Sequence, residues 1–256
     1  MPELSYEIYN KNKINFPILF CCDHANNKIP NKFKNLDLKT TILESHIGYD
    51  IGAKSLAINL ANHFNTTAIV GKYSRLLVDL NRSPKHKDVV SEISDGIKIA
   101  GNINLNISEF KNRIKRFHQP YHEVISQILN EMDKKHSHQT SLICIHSFTP
   151  KLKNHTRRIW DIGLLHRDDK RLLIPIRKFL KYNNNLIIAD NLPYSGYDDV
   201  NYTMTKHGEL DGRPFISIEI RNDLINNLSN KNYSKIFHSL TFAINNSYRE
   251  IEKNLI

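Results

Sequence analysis

With 256 residues, 40 % of them hydrophobic, the chain is long enough for one large α/β domain or two small ones and too apolar for disorder. No run approaches the roughly 20 apolar residues needed to cross a bilayer, and Met1-Pro-Glu-Leu-Ser-Tyr6 lacks the basic region and apolar core of a secretory signal, so the expected compartment is the cytoplasm. The formal net charge of +10 favours an anionic partner, but the lysines are scattered, so the expectation is a small acidic substrate, with no nucleic acid and no membrane.

Residues 1–16 are polar and read as a peripheral arm. Pro17-Ile-Leu-Phe-Cys-Cys22 is a buried strand that stops abruptly at Asp23-His24-Ala25-Asn26-Asn27. In an α/β fold the carboxyl end of a strand is where ligands bind, because side chains there line a crevice. A loop with Pro30 follows, then a helical turn near residues 40–45. Ala53, Ala57, Leu60 and Phe64 recur at helical spacing and predict a helix from Asp50. A carboxylate suits such a first turn, where it faces the positive end of the dipole. Thr67-Ala-Ile-Val70 is a short strand closed by Gly71. The segment Ser74-Arg-Leu-Leu-Val-Asp-Leu-Asn-Arg82 is ended by Pro84. Residues 83–107 are polar and irregular, long enough for a functional loop or lid.

One apolar stripe, Phe110, Ile114, Phe117, Tyr121, Val124, Ile128 and Met132, predicts a helix from Ser108 to about residue 135. Ser108 is its expected N-cap, and Pro120 should kink or divide it. Ser141-Leu-Ile-Cys-Ile145 runs into His146-Ser147, and Phe215-Ile-Ser-Ile218 into Glu219-Ile-Arg221. Between them lie a polar loop at 147–158, a strand at 159–166, a helix at 170–182, a strand at 186–190 and a loop at 191–213. An amphipathic helix carrying Ile236, Leu240, Ala243, Ile244 and Ile251 closes the chain. Strands alternating with helices predict a three-layer αβα architecture, a mostly parallel or mixed sheet, and a single domain over residues 1–256. Cys21, Cys22 and Cys144 sit in apolar runs and read as buried reduced thiols.

His24, Asp50 and His146 are the first candidate set: a catalytic zinc takes three N or O ligands and keeps one position open for water. The competing reading makes the histidines hydrogen-bonded turn residues and Asp50 a helix cap. Asp23 is a rival carboxylate ligand, but neighbours in an extended segment point to opposite sides, which favours Asp50. Glu219 follows a strand buried on both faces, where a carboxylate is costly unless it is functional or paired, here with Arg221. Arg75 and Arg82 can grip a substrate carboxylate, with Asn81 adding amide contacts; the bland alternative is a surface strand with an Asp79–Arg82 pair. His118 and His122 are four apart on one helix face, without the glutamate spacing of a zinc-binding HExxH helix. There is no GxSxG, Walker loop or GxGxxG.

Together these pieces resemble the N-formylglutamate amidohydrolase family. The matching segments are Cys22-Asp-His-Ala-Asn-Asn-Lys-Ile-Pro30, His46-Ile-Gly-Tyr-Asp-Ile-Gly-Ala53, Ser74-Arg-Leu-Leu-Val-Asp-Leu-Asn-Arg82, Pro120-Tyr-His122, Ile145-His-Ser147 and Ser217-Ile-Glu-Ile-Arg221, in the family's order over about residues 17–225. The first motif looks like that of the Cys-Asp-His-Ala branch; members closest to the deformylase of histidine breakdown carry a His-Ser-Gly type there. The resemblance implies a phosphorylase/hydrolase-like fold and a zinc-dependent hydrolase related to metallocarboxypeptidases, with one Zn2+ per chain on His24, Asp50 and His146. Glu219 would be the acid/base residue and Arg75 its catalytic companion, with Arg82, Asn81, Ser74, His122 and Arg221 on the substrate side. The expected reaction is hydrolysis of the amide of a small acidic N-acyl amino acid. The competing class is a metal-free protein that binds a small anionic ligand in the same cleft, and metal content separates the two.

Overall fold

Alternation along two strands organises the molecule. In the computed structural model, which describes residues 4–182 and 185–253 (side chains as far as 251), Ile18, Phe20 and Cys22 join one hydrophobic layer while Leu19 and Cys21 join another. Ile143 and Ile145 divide from Leu142 and Cys144 in the same way. Successive side chains of a strand must point to opposite faces, so a continuous apolar run is a strand covered on both sides.

The strands in chain order are β1 (Tyr6–Tyr9), β2 (Ile18–Cys22), β3 (Ala68–Gly71), β4 (Ile93–Ser94), β5 (Ile97–Lys98), β6 (Ser141–Phe148), β7 (Ile162–Leu165), β8 (Ile188–Asp190) and β9 (Phe215–Arg221). Seven of them form one sheet in the order β1-β3-β2-β6-β9-β7-β8, and β4 and β5 pair as a separate hairpin. Strands β3, β2, β6 and β9 are mutually parallel, β1 joins the edge antiparallel to β3, and β7 with β8 runs antiparallel to β9. The helices are α1 (Thr40–Leu43), α2 (Ala53–His63), α3 (Ile107–Arg113), α4 (Gln119–His136), α5 (Leu173–Lys181), α6 (Tyr202–Met204) and α7 (Lys231–Lys253). α2, α5 and α7 cover one face of the sheet; α4 and the irregular chain around residues 73–99 cover the other. The result is the expected three-layer αβα arrangement on a mixed sheet. Among the described residues no helix is long and apolar enough to cross a membrane.

Several local expectations are corrected. Within residues 1–16, β1 extends the sheet rather than lying apart from it. α2 starts at Ala53, not Asp50, because Gly52 before it adopts φ +84°. Asn106, not Ser108, caps α3, its side chain accepting from Glu109 N at 2.8 Å. The long helix is divided rather than continuous: a π-helical turn at Ile114–His118 separates α3 from α4, and Pro120 falls in the first turn of α4, where proline is best tolerated. Residues 83–107 hold the β4–β5 hairpin, and residues 74–82 are turns rather than a strand. The three cysteines are buried and free.

Candidate active site at the carboxyl ends of the central strands

Because β2, β6 and β9 are parallel, their carboxyl ends open on the same edge of the sheet. His146 and Glu219 are register partners on β6 and β9, and His24 lies in the turn just after β2. Asp50 is brought in by the backbone, its N–H donating to His24 O at 2.9 Å. The chain then turns into α2 through Gly52, where a Cβ would sit 2.4 Å from Ile225 O. A positive φ and no side chain are both required there.

The two imidazoles present the same nitrogen to Asp50. His146 Nδ1 lies 2.8 Å from Asp50 Oδ2, and His24 Nδ1 lies 3.4 Å from the same oxygen. Each far nitrogen meets another acid: His24 Nε2 contacts Asp79 Oδ1 at 2.7 Å, and His146 Nε2 lies 3.1 Å from Asp23 Oδ2. Asp23 is itself held by Thr203 Oγ1 at 2.7 Å. A ligand atom from each of His24, Asp50 and His146 lies within 4.8 Å of the others, and all three residues are buried. Asp23 thus stands behind His146 rather than beside Asp50.

Opposing charges hold this cluster together. Burial opposes charge on His146, yet Asp23 and Asp50 together raise it well above the usual histidine range. Burial and Arg75 press His24 down, but Asp79 and Asp50 outweigh them and raise it. Asp50 would be raised by burial, but His24 and His146 hold it well below the usual carboxylate range. Four buried acids, Asp23, Asp50, Asp79 and Glu219, thus surround the two rings, with the guanidiniums of Arg75 and Arg82 beside them. His24 Nδ1 is buried without a hydrogen bond. Two inward Nδ1 atoms, one carboxylate and a carboxylate behind each ring fit a divalent cation of zinc type, since metal-bound histidines commonly give their other nitrogen to an acid.

A cavity of about 260 Å³ opens beside the cluster, lined by His24, Asp50, His146, Glu219, Arg75, Asn81 and Arg82, with Tyr194, His46 and Asp95 among its other walls. Glu219 Oε2 has no hydrogen bond, and burial raises the carboxyl to about 7, with Asp50 adding to the effect and His146 opposing it. Arg75 is braced by Asp79, Nη2 to Oδ2 at 2.8 Å, and its Nη1 lies 3.7 Å from Asp50 Oδ1. Arg82 Nη1 donates to Val200 O at 2.9 Å.

Three residues expected on the substrate side lie outside the cavity lining. Ser74 Oγ donates to Gly48 O at 2.7 Å and so holds the Asp50 loop. His122 is buried between Leu80 O and His207. Arg221 pairs with Asp161 at 3.1 Å and Asp223 at 2.7 Å, because antiparallel β7 brings its entry residue to the exit of β9. That same pairing leaves Glu219 without the Arg221 partner considered for it. The sequence offers Asp79 only as a partner for Arg82, whose Nη1 does lie 3.9 Å from Asp79 Oδ2, and the loop residues Tyr194 and Asp95 carry no periodic signal at all.

The chain matches the model of the family described as N-formylglutamate amidohydrolase over residues 16–226. No functionally curated protein matches it. Among solved structures, that of gene product Atu2144 from Agrobacterium tumefaciens aligns with TM-score 0.91 at 30 % identity, over 98 % of this chain and 97 % of the other. The N-formylglutamate amidohydrolase from Ralstonia eutropha JMP134 aligns with TM-score 0.72 at 15 % identity, over 98 % of this chain and all of the other, a likeness that carries the fold alone. The family match runs from β2 through β9 and takes in every residue of the buried cluster, which makes this chain a member of the N-formylglutamate amidohydrolase family.

Proposed function

We propose that the protein is a zinc-dependent hydrolase, the whole chain forming one catalytic domain, that cleaves the amide of a small N-acyl amino acid of N-formylglutamate type. The observation that carries this reading is one cavity holding both the acid-backed His24–Asp50–His146 donor set and a Glu219 carboxyl whose Oε2 makes no hydrogen bond. One zinc on that set would supply a water acidified towards about pKa 7 and polarise the scissile carbonyl. Glu219 takes the proton as the water oxygen adds to the acyl carbon, then delivers it to the amide nitrogen as the C–N bond breaks. A carboxyl at about 7 is matched to both transfers. Arg75, held rigid by Asp79, faces the carbonyl oxygen as it gains charge. Arg82 and Asn81 hold the carboxylate of the substrate.

The test joins metal content to turnover on a panel of N-acyl amino acids. Wild type should bind one zinc and lose it in the His24→Ala/His146→Ala double variant. Glu219→Gln should keep the zinc and lose about 10²- to 10⁴-fold in kcat. Wild-type turnover in a zinc-loaded Glu219→Gln would remove Glu219 from the chemistry. A wild type that takes up no zinc even on soaking would leave a metal-free anion-binding protein as the better reading.

A further inference from the structure

Tyr194 lines the catalytic cavity on the side of Glu219, and its position is built into the sheet. On β7, Gly163 stands directly opposite Glu219. A Cβ there would lie 1.9 Å from Leu192 O and 3.4 Å from Glu219 Cβ. Only the missing side chain lets the loop at 191–196 lie across the strand beside Glu219. The loop is then pinned: Asn191 N donates to Leu164 O at 2.9 Å, and Asn191 Oδ1 accepts from His166 N and Gly196 N, each at 3.0 Å.

The direction of one hydrogen bond fixes what the hydroxyl can do. Arg158 Nη1 donates to Tyr194 Oη at 3.2 Å, and the guanidinium sits 5.0 Å from the centre of the tyrosine ring. A guanidinium has donors and no acceptor, so the phenolic oxygen accepts and its own proton must go elsewhere. Donation by a cation also polarises the O–H bond and makes it a better donor. Burial, with the Glu219 charge adding to it, raises the phenol above its ordinary value, which keeps that proton in place at neutral pH.

Resting on the hydrolase reading above, we infer that Tyr194 is a further catalytic residue, donating its O–H to the oxygen of the scissile carbonyl, with Arg158 as the positioning residue that aims it. The bond strengthens as that oxygen becomes negative, so it acts on the transition state more than on bound substrate.

The experiment compares zinc-loaded wild type, Tyr194→Phe, Arg158→Gln and the double variant on N-formylglutamate and related N-acyl amino acids, with metal content and melting temperature measured on each. Tyr194→Phe keeps the ring and its stacking. It should retain zinc and stability, lose about 10²- to 10³-fold in kcat, and keep KM within about threefold of wild type. Arg158→Gln should lose less, and the double variant should be no slower than Tyr194→Phe, because the arginine acts through the hydroxyl. Wild-type kcat in Tyr194→Phe, or a rise in KM alone, overturns the assignment while the hydrolase reading stands. A wild type that turns over none of the panel sinks the hydrolase reading and this assignment with it.

Discussion

Asp79 meets three partners at once. Its Oδ1 contacts His24 Nε2 at 2.7 Å and accepts from Asn81 N at 2.9 Å, while Oδ2 accepts from Arg75 Nη2 at 2.8 Å. Burial alone would raise its pKa, but Arg75, His24 and Arg82 hold it well below the usual carboxylate range. The carboxylate is therefore charged at working pH, and it turns the His24 ring so that Nδ1 points at Asp50. Asp79→Asn keeps the shape and removes the charge. Zinc affinity should fall about 10- to 100-fold in competition with a chelator, as on loss of other carboxylates behind a metal-bound histidine. Asp169→Asn, in a surface pair with Arg171, should leave it unchanged. Equal affinity in Asp79→Asn would mean the ring needs no such support. At this scale the sequence was legible where chemistry follows periodicity: His24, His146 and Glu219 end apolar strands and could be picked out. Asp79 and Asp23 needed coordinates, because a motif shows chain neighbours and not which ring nitrogen a carboxylate touches.

Two histidines one helical turn apart, His118 at the end of the π-helical turn and His122 in α4, hold the Asp79–Arg82 turn. His118 Nε2 reaches Arg82 O at 2.8 Å and His122 Nε2 reaches Leu80 O at 2.9 Å. Carbonyls only accept, so both Nε2 atoms carry hydrogen. His122 Nδ1 must then accept from His207 Nε2–H at 2.9 Å, which leaves His207 Nδ1 to accept from Ser126 Oγ at 3.4 Å. Neutral rings satisfy every contact in this chain, and burial keeps them neutral. Burial lowers His122 well below the ordinary range, and burial, then Lys206, lowers His207 to about 3, with Arg213 and His118 adding and Asp23 opposing. The unfolded His207 titrates near about 6.5, so on acidification the unfolded state gains its proton first. Stability is whole above that value and lost as pH falls towards 3. From pH 7 to 5 the loss from this one residue is about 2 kcal/mol. His207→Gln should flatten the acid limb of melting temperature against pH, and a limb of unchanged slope would assign the loss to other groups. The spacing of His118 and His122 was visible in the sequence. Their task was not, because only the folded chain lays α6 and the 79–82 turn over that face.

At the scale of the whole molecule, apolar runs of mixed Ile, Leu and Cys were enough to read a sheet covered on both faces. They could not tell that β7 and β8 reverse direction, since a strand buried on both sides has the same composition parallel or antiparallel. Nor could they show where charge collects. The chain carries +10 overall, yet its carboxyl-end cavity concentrates buried acids. On the proposed function a basic exterior would draw in the anionic substrate while the acidic centre would retain the cation, so the two charges are complementary rather than contradictory. Only the folded chain assembles His24, Asp50 and His146, so zinc bound there must stabilise the fold by mass action. At free zinc about 100 times its dissociation constant the gain is about 2.7 kcal/mol, which in a chain of this size raises the melting temperature by about 5–10 °C. Magnesium, which demands octahedral oxygen ligands, should give no rise. The His24→Ala/His146→Ala variant should melt at one temperature with or without zinc. A wild type indifferent to zinc in the same scan would show that the protons on His24 and His146, and not a metal, neutralise this cluster.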